Sequence, residues 1–233
     1  MLKSLTNIFR VQELRDRILY TVMAILVYRI GSHIPTPGID PTALLEFLSS
    51  AQGGGGLLTI MDLFSGGALF RFSILALGIM PYISASIIMQ LLGVVIPALE
   101  RMQKEGESGR KKINQYVRYL ALVLCIIQSA AMASWIQSIN EGAMIYMNPG
   151  LGFVLIVVAT ATAGTMFLMW LGDQITERGL GNGISVIIFA GIVARIPAGV
   201  YDMIQKKDSE YLNSLVIVLF FIIFAIVIFC VVY

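Results

Sequence analysis

Long apolar runs alternate with short polar segments along the whole chain. A helix needs about 20 residues to cross a roughly 30 Å hydrocarbon core. Six runs approach that length: residues 18–34, 74–96, 119–136, 153–171, 183–200 and 215–233. Four of them, 74–96, 119–136, 153–171 and 215–233, contain no charged residue. Run 18–34 holds Arg29 near its far end, where a long side chain reaches the headgroups. Run 183–200 is the weakest span: it opens on Gly-Asn-Gly and carries Arg195 near its end.

One apolar segment is too short to span. Residues 57–70 would reach roughly 21 Å as a helix, with Asp62 inside and Gly66-Gly67 loosening it. Two readings fit: an interfacial helix on the outer surface, or a short re-entrant helix, which needs protein or water around it at depth. The second implies a cavity inside the bundle and points toward a channel or transporter. Pro81, inside run 74–96, removes a backbone donor and predicts a kink. Residues 181–183 start a helix whose free N–H groups need partners if it begins within the membrane.

Composition agrees with lipid as the solvent. Hydrophobic residues make up 58% of the chain and charged residues 13%, at a mean hydropathy of +0.84. Soluble domains carry about 25% charged residues. The net charge of +2 decides little; its distribution decides more. Lys3, Arg10, Arg15 and Arg17 precede the first run, whereas residues 35–56 hold no Lys or Arg. Arg101, Lys104, Arg110, Lys111, Lys112 and Arg118 then fill residues 97–118, and residues 137–152 again hold none. This alternation predicts a cytoplasmic amino terminus. It fades later, since residues 172–182 hold only Arg178 and residues 201–211, predicted outside, hold Lys206 and Lys207. Tyr119, Trp135 and Trp170 lie near span ends, where interfacial aromatics belong. The opening residues lack a cleavable leader pattern, so the first run is expected to stay in the mature protein.

Catalytic and cofactor chemistry finds no support. Cys125 and Cys230 lie in apolar runs and read as small buried hydrophobes. His33 is the single histidine, so there is no metal-ligand spacing and no Ser–His or H-E-x-x-H arrangement for an intramembrane protease. The glycines at 53–56 lack the following Lys-Ser/Thr of a phosphate loop. No cofactor, metal, catalytic residue or nucleic-acid binding is expected. A secondary transporter with broken helices is the main alternative. It would normally carry an ionisable residue within the membrane, but the centres of these spans are uncharged.

Several motifs in sequence then become specific. RIGSHIPTPGID occupies residues 29–40, FSGGAL 64–69, LALGIMPYISASIIMQLL 75–92, KEGESGRKKINQY 104–116 and GTMFLMWLGDQITERGLGNGIS 164–185. In order and spacing they resemble the SecY family of bacterial protein translocation channels over nearly the whole chain. The resemblance implies an all-α, polytopic transmembrane bundle: the amino-terminal half of a ten-helix, inverted-repeat channel in the cytoplasmic (inner) membrane. The chain would be a fragment, a single incomplete membrane domain over residues 1–233.

The family's site residues follow motif by motif. A pore ring of aliphatic side chains is implied at Ile79, Ile83, Ile184 and Ile188, each pair spaced i, i+4 on one helix face. Such a ring resists wetting and ion passage. Residues 57–70 are implied to be the plug, with Leu57, Met61, Phe64, Ser65, Gly66, Gly67 and Leu69 in it. Ser84 and Gln90 are the lateral-gate residues implied on this half. Arg101, Lys104, Arg110, Lys111 and Lys112 form the cytosolic basic loop. Implied partners are the SecE and SecG subunits, the SecA ATPase, the ribosome, signal-sequence-bearing polypeptides and membrane lipid.

Overall fold

The structure, a computed structural model, describes residues 11–42, 44, 55–138, 150–205 and 214–232. Residues 1–192 and 193–233 form two compact units. No strand lies among the described residues beyond one isolated bridge.

Helix α1 spans Gln12–Gly31, starting before the apolar run and ending within it. A Glu13–Arg17 pair at 3.1 Å adds a little support along one face of its charged first turns. Thr21, Ala24, Tyr28 and Gly31 form its buried stripe, at the spacing of one helix face. Ser32 ends it, with its N–H bonded to Tyr28 O at 2.9 Å and its hydroxyl to Arg29 O at 2.8 Å.

Helix α2 is short, Gly55–Phe64. From Ser65 to Ile79 the chain runs through tight turns, so the first residues of the predicted span 74–96 are not helical. Left-handed conformations occur at Gly66, Gly67, Gly78 and Phe72. Ala68, Leu69, Phe72, Leu75, Ala76, Leu77 and Ile79 are nevertheless all buried. Non-helical backbone among apolar neighbours must find hydrogen-bond partners, and an antiparallel bridge between Pro35 and Ser73 supplies two. Thr36 N–H donates to Phe72 O at 2.8 Å, and Ile74 N–H to Ile34 O at 2.9 Å.

Helix α3 spans Met80–Val95. Pro81 falls in its first turn, where the missing N–H has no intrahelical partner to lose. The kink expected from it does not arise. The bend comes later, at Ile96, held extended before Pro97 as that dipeptide favours. Helix α4, Pro97–Lys104, leaves this corner at 102° to α3.

Helices α5 (Glu107–Ser138) and α6 (Leu151–Arg178) extend beyond the apolar runs that predicted them. Val117, Ala121, Cys125, Ser129 and Ala133 make a buried stripe along α5. Its small side chains let neighbouring helices approach closely. Ala85, Met89 and Met169 pack on the Val117–Ala121 level, and Ile39, Leu44, Phe72, Phe153 and Val157 on the Ala133–Ile136 level. Helix α7 spans Gly183–Gln205 and helix α8 Ser214–Val232. Among the described residues, three helices are long and apolar enough to cross a membrane: α5, α6 and residues 183–201 of α7; the bent α3–α4 pair would make a fourth. Both cysteines are free. Cys125 is buried as expected, but Cys230 is exposed, because residues 222–230 of α8 all are.

Candidate functional site

The start of α7 is held by polar groups that hydropathy does not register. Thr176 Oγ1 donates to Gly172 O at 2.9 Å and accepts the Gly183 N–H at 2.8 Å. Asn182 Oδ1 accepts the N–H groups of Ile184 and Ser185 at 3.1 and 3.2 Å. These bonds supply the partners that the helix start was expected to need. Thr21 of α1 accepts the Leu180 N–H at 3.1 Å, so α1 holds the same turn from the other side. A Cβ at Gly183 would overlap Gly172 O, and one at Gly172 would press on Ile184.

That turn fixes where Ile184 stands. Ile79, Ile83 and Ile184 meet in one apolar cluster with Tyr28, Leu168 and Ile187. Ile79 is buried, at 5% exposure, while Ile83 and Ile184 are half-buried and pack on the cluster. Ile79 is the residue before α3 rather than a member of it, yet Ile83 N–H bonds to Ile79 O at 3.1 Å and keeps the two one turn apart. Ile188 is half-buried and lies outside this cluster. The residue that α7 buries here is Ile187, which motif matching did not single out. Its position four residues from both Gly183 and Gly191 was the available signal, since all three are buried.

Beside the cluster lies α2 with the turn that follows it. Asp62 is fully buried, its carboxylate accepting the Phe70 N–H at 2.9 Å. Ser65 Oγ donates to Asp62 O at 3.0 Å and accepts the Leu69 N–H at 3.2 Å. Thus the residue that interrupts the apolar pattern ties the end of the helix to the turn. Ser65, Gly66, Gly67 and Leu69 are buried, Met61 is half-buried and Phe64 is exposed; the side chain of Leu57 lies outside the described residues. Two residues of α1 grip the turn. Tyr28 Oη donates to Ser65 O at 2.9 Å, and Arg29 Nη1 to Gly66 O at 3.1 Å. Arg29, half-buried near the end of α1, thus uses one of its donors on a backbone carbonyl. A cavity of about 540 Å³ adjoins α2, lined by Met61, Leu69, Leu77, Met80, Met132 and Trp135 among others.

The remaining predicted residues lie apart from this centre. Ser84 is half-buried on α3, and exposed Gln90 donates to Ser86 on its own helix at 3.3 Å. Arg101, Lys104, Arg110, Lys111 and Lys112 are all exposed around the α4–α5 corner. Lys104 pairs with Glu100, and Lys111 with Glu107 at 3.4 Å. Among the described residues, no group of three or more His, Cys, Asp or Glu side chains could hold a metal ion.

Apolar helices of membrane-spanning length, a short helix folded back beside them and an aliphatic cluster at its foot define a multi-pass helical membrane protein. The fold is that of the protein-conducting channels. A solved protein-conducting channel matches with a TM-score of 0.58 and 18% identity, covering 85% of this chain and 42% of that one. Sec61 in the canine ribosome–channel complex from the endoplasmic reticulum matches with a TM-score of 0.58, 18% identity and 85% of this chain against 43% of that one. The family model for SecY matches residues 73–233. The chain belongs to the SecY family. The protein translocase subunit SecY of Aquifex aeolicus is 48% identical over 94% of this chain and 51% of that protein. Its counterpart in Escherichia coli K12 is 52% identical over 89% of this chain and 46% of that protein. The chain therefore spans about half the length of the curated relatives it matches.

Proposed function

We propose that the chain supplies the first half of the pore-forming subunit of a bacterial protein translocase. This subunit passes unfolded secretory polypeptides across the cytoplasmic membrane and releases membrane helices sideways into it. The observation carrying this reading is the meeting of Ile79, Ile83 and Ile184 beside a short helix that ends on a buried turn. Aliphatic side chains offer no hydrogen bonds to water or ions, so a narrow ring of them forms a dry barrier. They offer no sequence-specific contacts either, which suits a conduit for many polypeptides. Ile188, one turn along from Ile184, is the fourth member of the ring in this proposal.

In this reading residues 57–70 are the plug, and Ser84 and Gln90 line the lateral path of a signal sequence toward lipid. The amino terminus and the α4–α5 corner face the cytoplasm, where the exposed basic residues engage a SecA-type ATPase or the ribosome. SecE and SecG are the expected membrane partners. No residue is assigned a catalytic step, and the energy of transport comes from the partner or from the proton-motive force.

The test is deletion of residues 58–67 in the complete channel. The complex should still assemble, and resting ion leakage across vesicle membranes should rise. Loss of assembly would make α2 a structural helix and remove the plug reading.

A further inference from the structure

We infer that Thr21 and Thr176 are positioning residues for the constriction: their hydroxyls hold the turn at residues 179–183 and so set where Ile184 enters the aliphatic cluster. The inference rests on the ring reading and adds which side chains outside the ring fix its α7 member.

The two threonines stand on different helices, α1 and α6, yet make the same pair of bonds. Each donates its hydroxyl hydrogen to the carbonyl four residues earlier in its own helix, Arg17 O and Gly172 O, both at 2.9 Å. With the hydrogen so placed, each oxygen still has a lone pair to offer. Each accepts one backbone N–H from the turn: that of Leu180 at 3.1 Å for Thr21, that of Gly183 at 2.8 Å for Thr176. The turn is therefore held from two helices at once. The Asn182 cap bonds only N–H groups of α7 itself, so it travels with that helix and cannot set its place.

Packing brings the turn close to both helices. A Cβ at Gly179 would lie 2.6 Å from Thr21 Oγ1, and one at Gly183 would lie 2.8 Å from Ile175 Cβ. Apolar contact is not directional, so it limits how near the turn comes without fixing its position along α1 and α6. Hydrogen bonds are directional and supply that position. Any shift of Gly183 passes straight to Ile184, its neighbour in the chain. Gly172 serves both ends of this arrangement: its carbonyl accepts from Thr176, and a Cβ on it would lie 3.1 Å from Ile184 Cγ1.

The experiment measures resting ion conductance of the complete channel in a planar bilayer. Thr21→Val and Thr176→Val keep the branched shape but lose both bonds. Each should raise conductance about fivefold, the shift expected from one ordinary hydrogen bond. Thr21→Ser and Thr176→Ser keep the hydroxyl and should stay at the wild-type value. The valine increment should vanish in an Ile184→Ser background, where the positioned side chain is gone, and persist in an Ile83→Ser background. Equal increments in both backgrounds would make the threonines general stabilisers and overturn the inference. Wild-type conductance in both valine variants, with Ile184→Ser alone leaking, would also overturn it and leave the ring reading intact. No leak from Ile184→Ser would remove Ile184 from the ring and the inference with it. Thr21 is buried and Thr176 exposed, so if Thr21→Val fails to assemble, Thr176→Val decides by the same comparison.

Discussion

Arg118 donates to Asp173 across 2.7 Å, joining helices α5 and α6 through residues 55 positions apart in the chain. Both side chains are partly exposed, at 48% and 35%, and such pairs are worth about 1 kcal/mol or less. Arg118→Gln and Asp173→Asn should each lower the detergent melting temperature slightly, and the double variant should lose less than their sum. Strict additivity in that double-mutant cycle would mean the pair contributes nothing.

The aliphatic ring calls for substitutions that respect burial. Ile79 is packed into the core, so Ile79→Ser would cost about 2–5 kcal/mol of stability by analogy with other core truncations. Ile83, Ile184 and Ile188 are half-buried and give a cleaner test. Changing these three to Ser should raise single-channel ion conductance in a planar bilayer, while Ile87→Ser, on an exposed position of α3, should leave it at baseline. Opening by the control alone would place the constriction elsewhere.

Asn182 should matter through its side-chain oxygen. Asn182→Ala should cost about 1 kcal/mol, the usual loss for a helix cap, and Asn182→Asp should retain most of it. Thermal unfolding in detergent measures both. Equal losses in the two variants would argue against the cap.

Orientation and docking can be separated at the α4–α5 corner. A cysteine at Ser108 should be shielded from an impermeant thiol reagent in intact cells, and one at Asn140 should be labelled. The opposite pattern would reverse the topology. With topology intact, changing Arg110, Lys111 and Lys112 to Glu should weaken binding of the cytosolic partner, more visibly at low salt because the charges are exposed. Unchanged affinity would leave these charges with only an orienting role.

Hydropathy located α5 and α6 because their apolar runs are unbroken, but it cut them short. Arg118 and Asp173 flank the two runs without ending the helices, which continue through charged residues to Glu107 and Arg178. The same scale took residues 74–79 for helix. Buried irregular backbone made of Ile, Leu and Ala has the composition of a membrane helix, and its partners, such as Ile34 O, lie far back in the chain. Pro81 was legible as a break but not as a helix start, because the choice depends on the turn that precedes it. At the site, the short apolar run at residues 57–70 already marked the α2 segment, and the family motifs led to the isoleucines. They did not lead to Tyr28 or Thr176, whose partners are a backbone carbonyl across the bundle and a backbone N–H beyond the next turn. Asn182 had a local signal, standing just ahead of a helix as capping residues do.

The glycines at 109, 164 and 183 share one geometry: a first side-chain carbon at each would overlap a carbonyl oxygen, of Met102, Ile74 and Gly172 respectively. Most buried positions respond to substitution by degrees, since each added or lost methylene changes packing a little. These three should answer as a threshold instead. Alanine at Gly164 would need the same displacement of backbone that leucine needs, so a saturation series there should give one step between glycine and everything else. Membrane yield across the series would trace that shape, and a gradual decline with side-chain volume would show that the Ile74 carbonyl can give way.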